Sequence, residues 1–259
     1  MSTNACKLLA LALMLIDHIG EFIPNMPIFL RILGRASAPI FIFCTAWGFY
    51  YTHDKKIYLL RMYLCSAGMG ILDFILNISI QNPYQLVTNN IFSTLFVICL
   101  FAYLWEKQPI AKAALTTLFV VGNLGLWFVV MFFVGMTGNT LLLSAASGCL
   151  PNLFTCEGSI PIFLMGLVFV FCKEQKQSLW KGYTIYCAIY FCLTLLGYWG
   201  SGIPFGTYLF TIDIQWLQIL SLPILLLYNG SKGRQMKYFF YLFYPLHIIA
   251  LYYIGNLLF

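Results

Sequence analysis

Six ionisable residues stand inside apolar stretches where charge is costly: Asp17 and His18 in the first stretch, Arg31 and Arg35 in the second, Asp73 in the third and His247 in the last. Ionisable groups are rare in hydrocarbon because each costs several kcal/mol, so they mark functional sites by default. A neutral imidazole is the usual general base near neutral pH, and a hydrogen bond from a carboxylate or an Arg-held network sets its tautomer. His18, oriented by the adjacent Asp17, fits that role. In acyl transfer it takes the proton of an attacking amine or hydroxyl, while Arg35, with Arg31, holds the site or the thioester oxygen. His247 is then a second base or an acceptor binder. A membrane histidine can also do no more than bridge two helices, but two at one depth, one of them beside an Asp, favour chemistry. Asp213 and Glu157, at outer helix ends, and Glu21 are expected to be solvated or structural. No GxSxG elbow or reactive Ser or Cys flanks either histidine, so direct transfer from a thioester donor is simpler than a covalent acyl-enzyme. The absence of a P-loop, GxGxxG or HExxH argues against nucleotide hydrolysis, a Rossmann cofactor and zinc proteolysis, and no metal is expected.

These residues need helices to hold them. At about 20 residues per crossing, the apolar runs predict helices near residues 5–24, 28–50, 57–79, 89–105, 110–134, 158–172, 181–199, 211–229 and 237–258. The expectation is an all-α polytopic bundle of about nine spans, with eight to ten as its bounds, in one domain over residues 1–259. Residues 135–157 form either a re-entrant piece or a plain loop. Twelve of the 14 Lys and Arg fall on one side: Lys7; Lys55, Lys56 and Arg61; Lys107 and Lys112; Lys173, Lys176 and Lys181; Lys232, Arg234 and Lys237. By the positive-inside rule that side is the cytoplasm, which puts the N-terminus in and the C-terminus out. His18 lies 11 residues beyond Lys7 and His247 10 beyond Lys237, which places both roughly 15 Å above the cytoplasmic edge at the helical rise. Asp73 falls near the same level, and Arg35, nearer the outer face, can reach down one turn to Asp17.

Composition agrees. The chain has 259 residues, 61% hydrophobic and 8% charged, too few polar groups to cover a water-soluble globule. Its net charge of +6 is dispersed over several loops without a basic and aromatic stripe, so a lipid bilayer and no nucleic acid is the partner implied. The nine Cys show no metal spacing and mostly read as small buried hydrophobes. Cys149 and Cys156 fall in a predicted outward loop, where an oxidising compartment permits a disulfide. Asp17 and His18 interrupt the first apolar run and no small-residue cleavage site follows, so that run is expected to stay as a membrane helix rather than leave as a signal peptide.

Particular stretches carry a resemblance. Leu13-Met14-Leu15-Ile16-Asp17-His18-Ile19-Gly20, then Leu30 to Phe41, Gly48 to Thr52 and Tyr58 to Arg61, together with Gln215-Trp216, Leu227 to Gly230, Lys237 to Tyr241 and Tyr244-Pro245-Leu246-His247, resemble the TraX family of F-pilin acetylases. The likeness covers roughly the first 60 residues and the last 50. It implies a multispanning acetyltransferase of the bacterial inner membrane that uses cytoplasmic acetyl-CoA and acts on the N-terminal amine of pilin subunits. More distantly the chain resembles the acyltransferase-3 group, in which an Arg stands ten intervening residues before a first-helix His. Here Lys7 holds that position before His18, and the resemblance implies a basic anchor for CoA. The acceptor expected is a peptide N-terminus or a glycan. A proton-coupled transporter using the same His, Asp and Arg is the main alternative, and a purely structural cluster the third.

Overall fold

The computed structural model describes the chain except for residues 81–85, 89, 173–175, 232, 234, 235 and 259, and except for the side chains of residues 176, 237 and 238. The expectations for Lys173, Lys232 and Arg234, and for the side chains of Lys176 and Lys237, therefore lie outside the described residues. Among the described residues every regular element is helical: α1 Thr3–Phe22, α2 Phe29–Gly34, α3 Ser37–Tyr50, α4 Lys55–Ser79, α5 Ile91–Trp105, α6 Pro109–Thr137, α7 Leu142–Cys149, α8 Ser159–Phe171, α9 Lys176–Tyr198, α10 Phe205–Thr207, α11 Leu222–Leu226 and α12 Lys237–Leu258. A π-helical turn (Tyr208–Ile212) extends α10, and a 3₁₀ segment (Gln215–Ser221) leads into α11.

Local chemistry sets several of these ends. Backbone N–H groups in the first turn of a helix lack intrahelical acceptors, and a polar side chain at the cap supplies one. The side chains of Ser2, Asp54 and Asn90 accept from Ala5, Ile57 and Ser93 N–H at the starts of α1, α4 and α5. Pro109 opens α6, where its missing N–H is no loss, and Gly138 closes it in the left-handed region (φ 63°). Asn25 (φ 59°) turns the chain between α1 and α2, a conformation that Asn tolerates better than most residues.

Each of the nine segments expected to cross the membrane contains helix. By length and composition, five helices qualify as crossings among the described residues: Phe29–Tyr50, Lys55–Ser79, Pro109–Thr137, Gln177–Tyr198 and Phe239–Leu258. A sixth follows if Phe205–Ile212 and Gln215–Leu226, bent by 64°, count as one broken span. The other three expected spans are shorter or more charged than these. The helices α5 and α8 have 15 and 13 residues, short of the hydrocarbon thickness, and the 20-residue α1 carries Lys7, Asp17 and Glu21.

The helices form two compact units, one from Met1–Cys44 with Phe171–Phe259, the other from Thr45–Val170. In the second unit the backbones of α4 and α7 meet at Gly70 and Gly148. Side chains there satisfy backbone groups that water cannot reach. Ser66 Oγ donates to Gly148 O at 2.9 Å, Asn90 Nδ2 donates to Ser66 O at 2.9 Å, and the Asn77 amide exchanges two 2.8 Å bonds with the Val87 backbone. Residues 135–157, left open as a re-entrant piece or a loop, comprise the end of α6, the short α7 against α4, and a turn in which Asn152 Oδ1 accepts from Phe154 and Thr155 N–H. Cys149 and Cys156 are free thiols. A cavity of about 380 Å³ is lined mainly by apolar side chains, among them Phe96, Leu100, Leu118 and Leu126.

In the first unit α1 and α12 lie side by side and run parallel. Their contacts advance together along both chains: Lys7 Nζ over the Phe240 ring at 5.8 Å, His18 against His247, and Phe22 against Gly255. Only a glycine fits at the last of these, because a Cβ on Gly255 would lie 2.1 Å from Phe22 O. The start of α1 is tied to the segment after α11, with Thr3 N–H donating to Ser231 O at 2.8 Å and Thr3 Oγ1 3.0 Å from the Tyr228 hydroxyl.

Candidate active site

The first unit gathers five of the six candidate residues. Helix α2 folds back on α1 at Gly34, where a Cβ would fall 2.2 Å from Asp17 Cβ, so the absence of a side chain lets the two backbones close over Asp17. One helical turn separates Arg31 from Arg35, and both reach the same carboxylate. Arg31 Nη1 is 3.2 Å from Asp17 Oδ2 and donates to Glu21 Oε2 at 2.6 Å; Arg35 Nη2 donates to Asp17 Oδ2. Two acids and two guanidiniums thus balance, which is the condition for keeping charge at low dielectric.

The two arginines are not equivalent. A guanidinium has five N–H donors. Arg35 uses all three of its nitrogens: Nη2 on Asp17, Nη1 on Gln215 Oε1 at 3.1 Å and Nε on Arg31 O at 3.3 Å. Among the described residues Arg31 bonds only through Nη1, to Glu21 and, at 3.4 Å, to Asp17 O. Its Nε and Nη2 retain donor capacity.

His18 is 4% exposed and His247 6%. Their rings meet through His18 Nδ1 and His247 Nε2 at 2.7 Å, and His247 Nδ1 lies 2.9 Å from Phe243 O. The other nitrogen of His18, Nε2, is 4.0 Å from Glu21 Oε2. Aromatic rings wall the pair: Phe22 edge-on to His18, with Phe243 and Tyr244 around His247. Ligating atoms of Asp17, His18 and Glu21 lie within 4.8 Å of one another, the compass of a metal site. The guanidiniums already on both carboxylates oppose a cation there, so the donor set does not suit a metal ion.

Beyond Arg35 the polar contacts continue through the bent pair Phe205–Ile212 and Gln215–Leu226. Gln215 Nε2 donates to Gln218 Oε1 at 3.3 Å, and the Tyr183 hydroxyl is 2.8 Å from both Gln218 O and Ser221 Oγ. Asp213 occupies the break, its carboxylate accepting from Thr194 Oγ1 at 2.8 Å and from Gln215 N–H at 3.2 Å. Backbone groups freed at a bend between helices need such substitutes.

A family model described as TraX protein matches residues 2–255. The chain belongs to the TraX family. The match takes in the middle of the sequence, where hydropathy alone carried the likeness. No curated protein and no solved structure matches.

Several expectations change in this TraX-family protein. Asp17 makes no hydrogen bond to the His18 ring; successive helical side chains point about 100° apart, and Asp17 turns to the arginines while His18 turns to α12. Glu21, expected to be solvated or structural, completes the cluster. Its signal was present in the sequence, since it stands three residues after His18 and four after Asp17, the spacings that share a helix face. Gln215 carried no such signal. Lys7, on α1 but 11 residues before His18, stands roughly 16 Å along the axis from the cluster. Asp73 is fully buried in the second unit, and its carboxylate has no hydrogen-bond partner among the described residues.

Proposed function

We propose that this TraX-family protein is a membrane-embedded acyltransferase that moves acetyl from cytoplasmic acetyl-CoA to an amine or hydroxyl of an envelope or pilin-like acceptor. The observation that carries the reading is His18: buried, its Nδ1 engaged by His247, its Nε2 4.0 Å from Glu21, the carboxylate that Arg31 also binds. When bound, acetyl-CoA supplies the activated acyl carbonyl. His18 Nε2 takes the proton of the attacking N–H or O–H. The free Nε and Nη2 donors of Arg31 are the available partners for the oxygen on which negative charge develops. Arg35, with every nitrogen committed, holds Asp17 and the broken span in place. The charge-balanced cluster offers little to phosphates, so the nucleotide end of the donor is assigned to Lys7 and the basic loops. In this reading the protein crosses a bacterial inner membrane nine times, N-terminus in and C-terminus out, as the Lys and Arg distribution favours.

One observation favours a proton-coupled carrier as the second reading: the span broken at Asp213 abuts the cluster through Gln215, and discontinuous helices line many transport sites. Purified protein in vesicles, given labelled acetyl-CoA and envelope material, separates the two. Label appearing covalently in the acceptor supports the enzyme. Solute accumulation driven by a proton gradient, with no covalent transfer, overturns it.

A further inference from the structure

We infer that His247 is a positioning residue that sets the tautomer of His18, so that Phe243 O, His247 and His18 form a directed hydrogen-bond chain ending in the lone pair of His18 Nε2. The direction follows from the one group in the chain that can only accept. Phe243 O lies 2.9 Å from His247 Nδ1, so that nitrogen carries hydrogen. The other nitrogen of neutral His247, Nε2, is then a lone pair. It faces His18 Nδ1 at 2.7 Å, and a contact that short needs a hydrogen between the nitrogens, which His18 Nδ1 must supply. His18 Nε2 is left as the unprotonated nitrogen, 4.0 Å from Glu21 Oε2. A doubly protonated ring would bury a further cation beside a cluster whose two carboxylates are already shared with Arg31 and Arg35, which is costly.

Ring geometry supports the chain. The two imidazoles are 11° from coplanar with centroids 5.0 Å apart. That separation is the N···N distance plus a ring radius on each side, so the rings meet edge to edge as a linear N–H···N bond requires. Phe243 stacks within 18° on His247 at 5.0 Å and Tyr244 meets it edge-on at 5.5 Å, which leaves the ring little freedom to turn. Pro245, inside α12, has no N–H to give to the preceding turn. His247 thus takes the place that a carboxylate holds in a Ser-His-Asp triad, orienting the base through the nitrogen that does not react. When His18 Nε2 accepts a proton, its Nδ1 proton can pass across the 2.7 Å contact to His247 Nε2, leaving one positive charge shared by two rings.

The catalytic consequence rests on the acyl-transfer reading, but the tautomer does not, so the two can fail separately. The protein has three histidines, and His53 is exposed. Nitrogen-15 NMR of His-labelled full-length protein in lipid nanodiscs, with His53→Asn for assignment, is expected to give His18 a protonated Nδ1 and an unprotonated Nε2. In His247→Phe, which keeps a ring and loses the acceptor, that preference is expected to vanish and transfer to fall about 10- to 100-fold or more, the range seen when a metal-bound histidine loses its orienting hydrogen bond. His247→Gln, whose amide oxygen can stand where Nε2 stood, should recover most of the rate. A wild-type His18 carrying its hydrogen on Nε2 overturns the inference, as does His247→Phe with undiminished turnover. If no transfer is found while the nitrogen signature stands, the acyl-transfer reading fails and the hydrogen-bond chain remains.

Discussion

At the scale of single residues, the burial of a few ionisable groups decides what can be tested. His18→Ala removes the proposed proton acceptor and should lower acyl transfer by about 10²- to 10⁴-fold, while the protein remains folded in the membrane; near-normal turnover would end its assignment as base. The arginines should separate. Arg35→Gln breaks three bonds that span α1, α2 and the 3₁₀ segment, so it should cost about 2 kcal/mol or more in stability, visible as a lower Tm in detergent. Arg31→Gln, which leaves the Arg35 contacts with Asp17 and Gln215 intact, should lower kcat more than Tm. Equal Tm losses in the two variants would count against the division of roles.

At the scale of elements, the site exists because helices approach closely at small residues, as membrane helices do. Gly34→Ala would drive a methyl into Asp17, 2.2 Å from its Cβ. Overpacking of this kind costs about 1 to 3 kcal/mol, and here it also pushes Asp17 away from Arg35. Thermal unfolding and transfer assays on Gly34→Ala should therefore both show losses, whereas Gly122→Ala, with nothing near its Cβ position, should show neither. Parallel contact of α1 and α12 has its own check. His18→Cys with His247→Cys should cross-link through a short bifunctional reagent, and failure of that pair under conditions where Lys7→Cys and Phe240→Cys react would separate the helices at the depth of the site.

At the scale of the whole molecule, the question is which way the chain lies in the membrane. Most Lys and Arg gather in alternate loops, and positive loops stay in the cytoplasm. In a background cleared of exposed native Cys, Gly233→Cys should resist impermeant thiol reagents in intact cells, while Gly202→Cys should react. The reverse pattern would put the basic loops outside and invert the entry side assigned to acetyl-CoA. Both positions lie in the first unit, as does the cluster, so one labelling experiment orients the unit that carries the site.

By itself the sequence determined where most of the helices are, but not the break at Asp213 within the run expected as one helix over 211–229, nor the short α7 within 135–157. Lipid satisfies no backbone polar group, so each apolar run has to close its hydrogen bonds internally, and caps such as Asp54, Asn90 and Gly138 mark the ends by local chemistry alone. It also determined how far along its helix each charged residue sits, which is why His18 and His247 were expected to share a level. Depth is one coordinate of three. Which residues at a level face one another depends on how helices pack sideways, and that is decided by contacts far apart in the chain: Gly34 over Asp17, and Gly255 against Phe22. Those contacts turned Asp17 to the arginines and His18 to His247, drew in Glu21 and Gln215, and left Asp73 to the other unit. Tertiary structure alone made that division, because an unpaired charge in a low-dielectric interior is costly enough that partners are chosen by lateral reach rather than by sequence order.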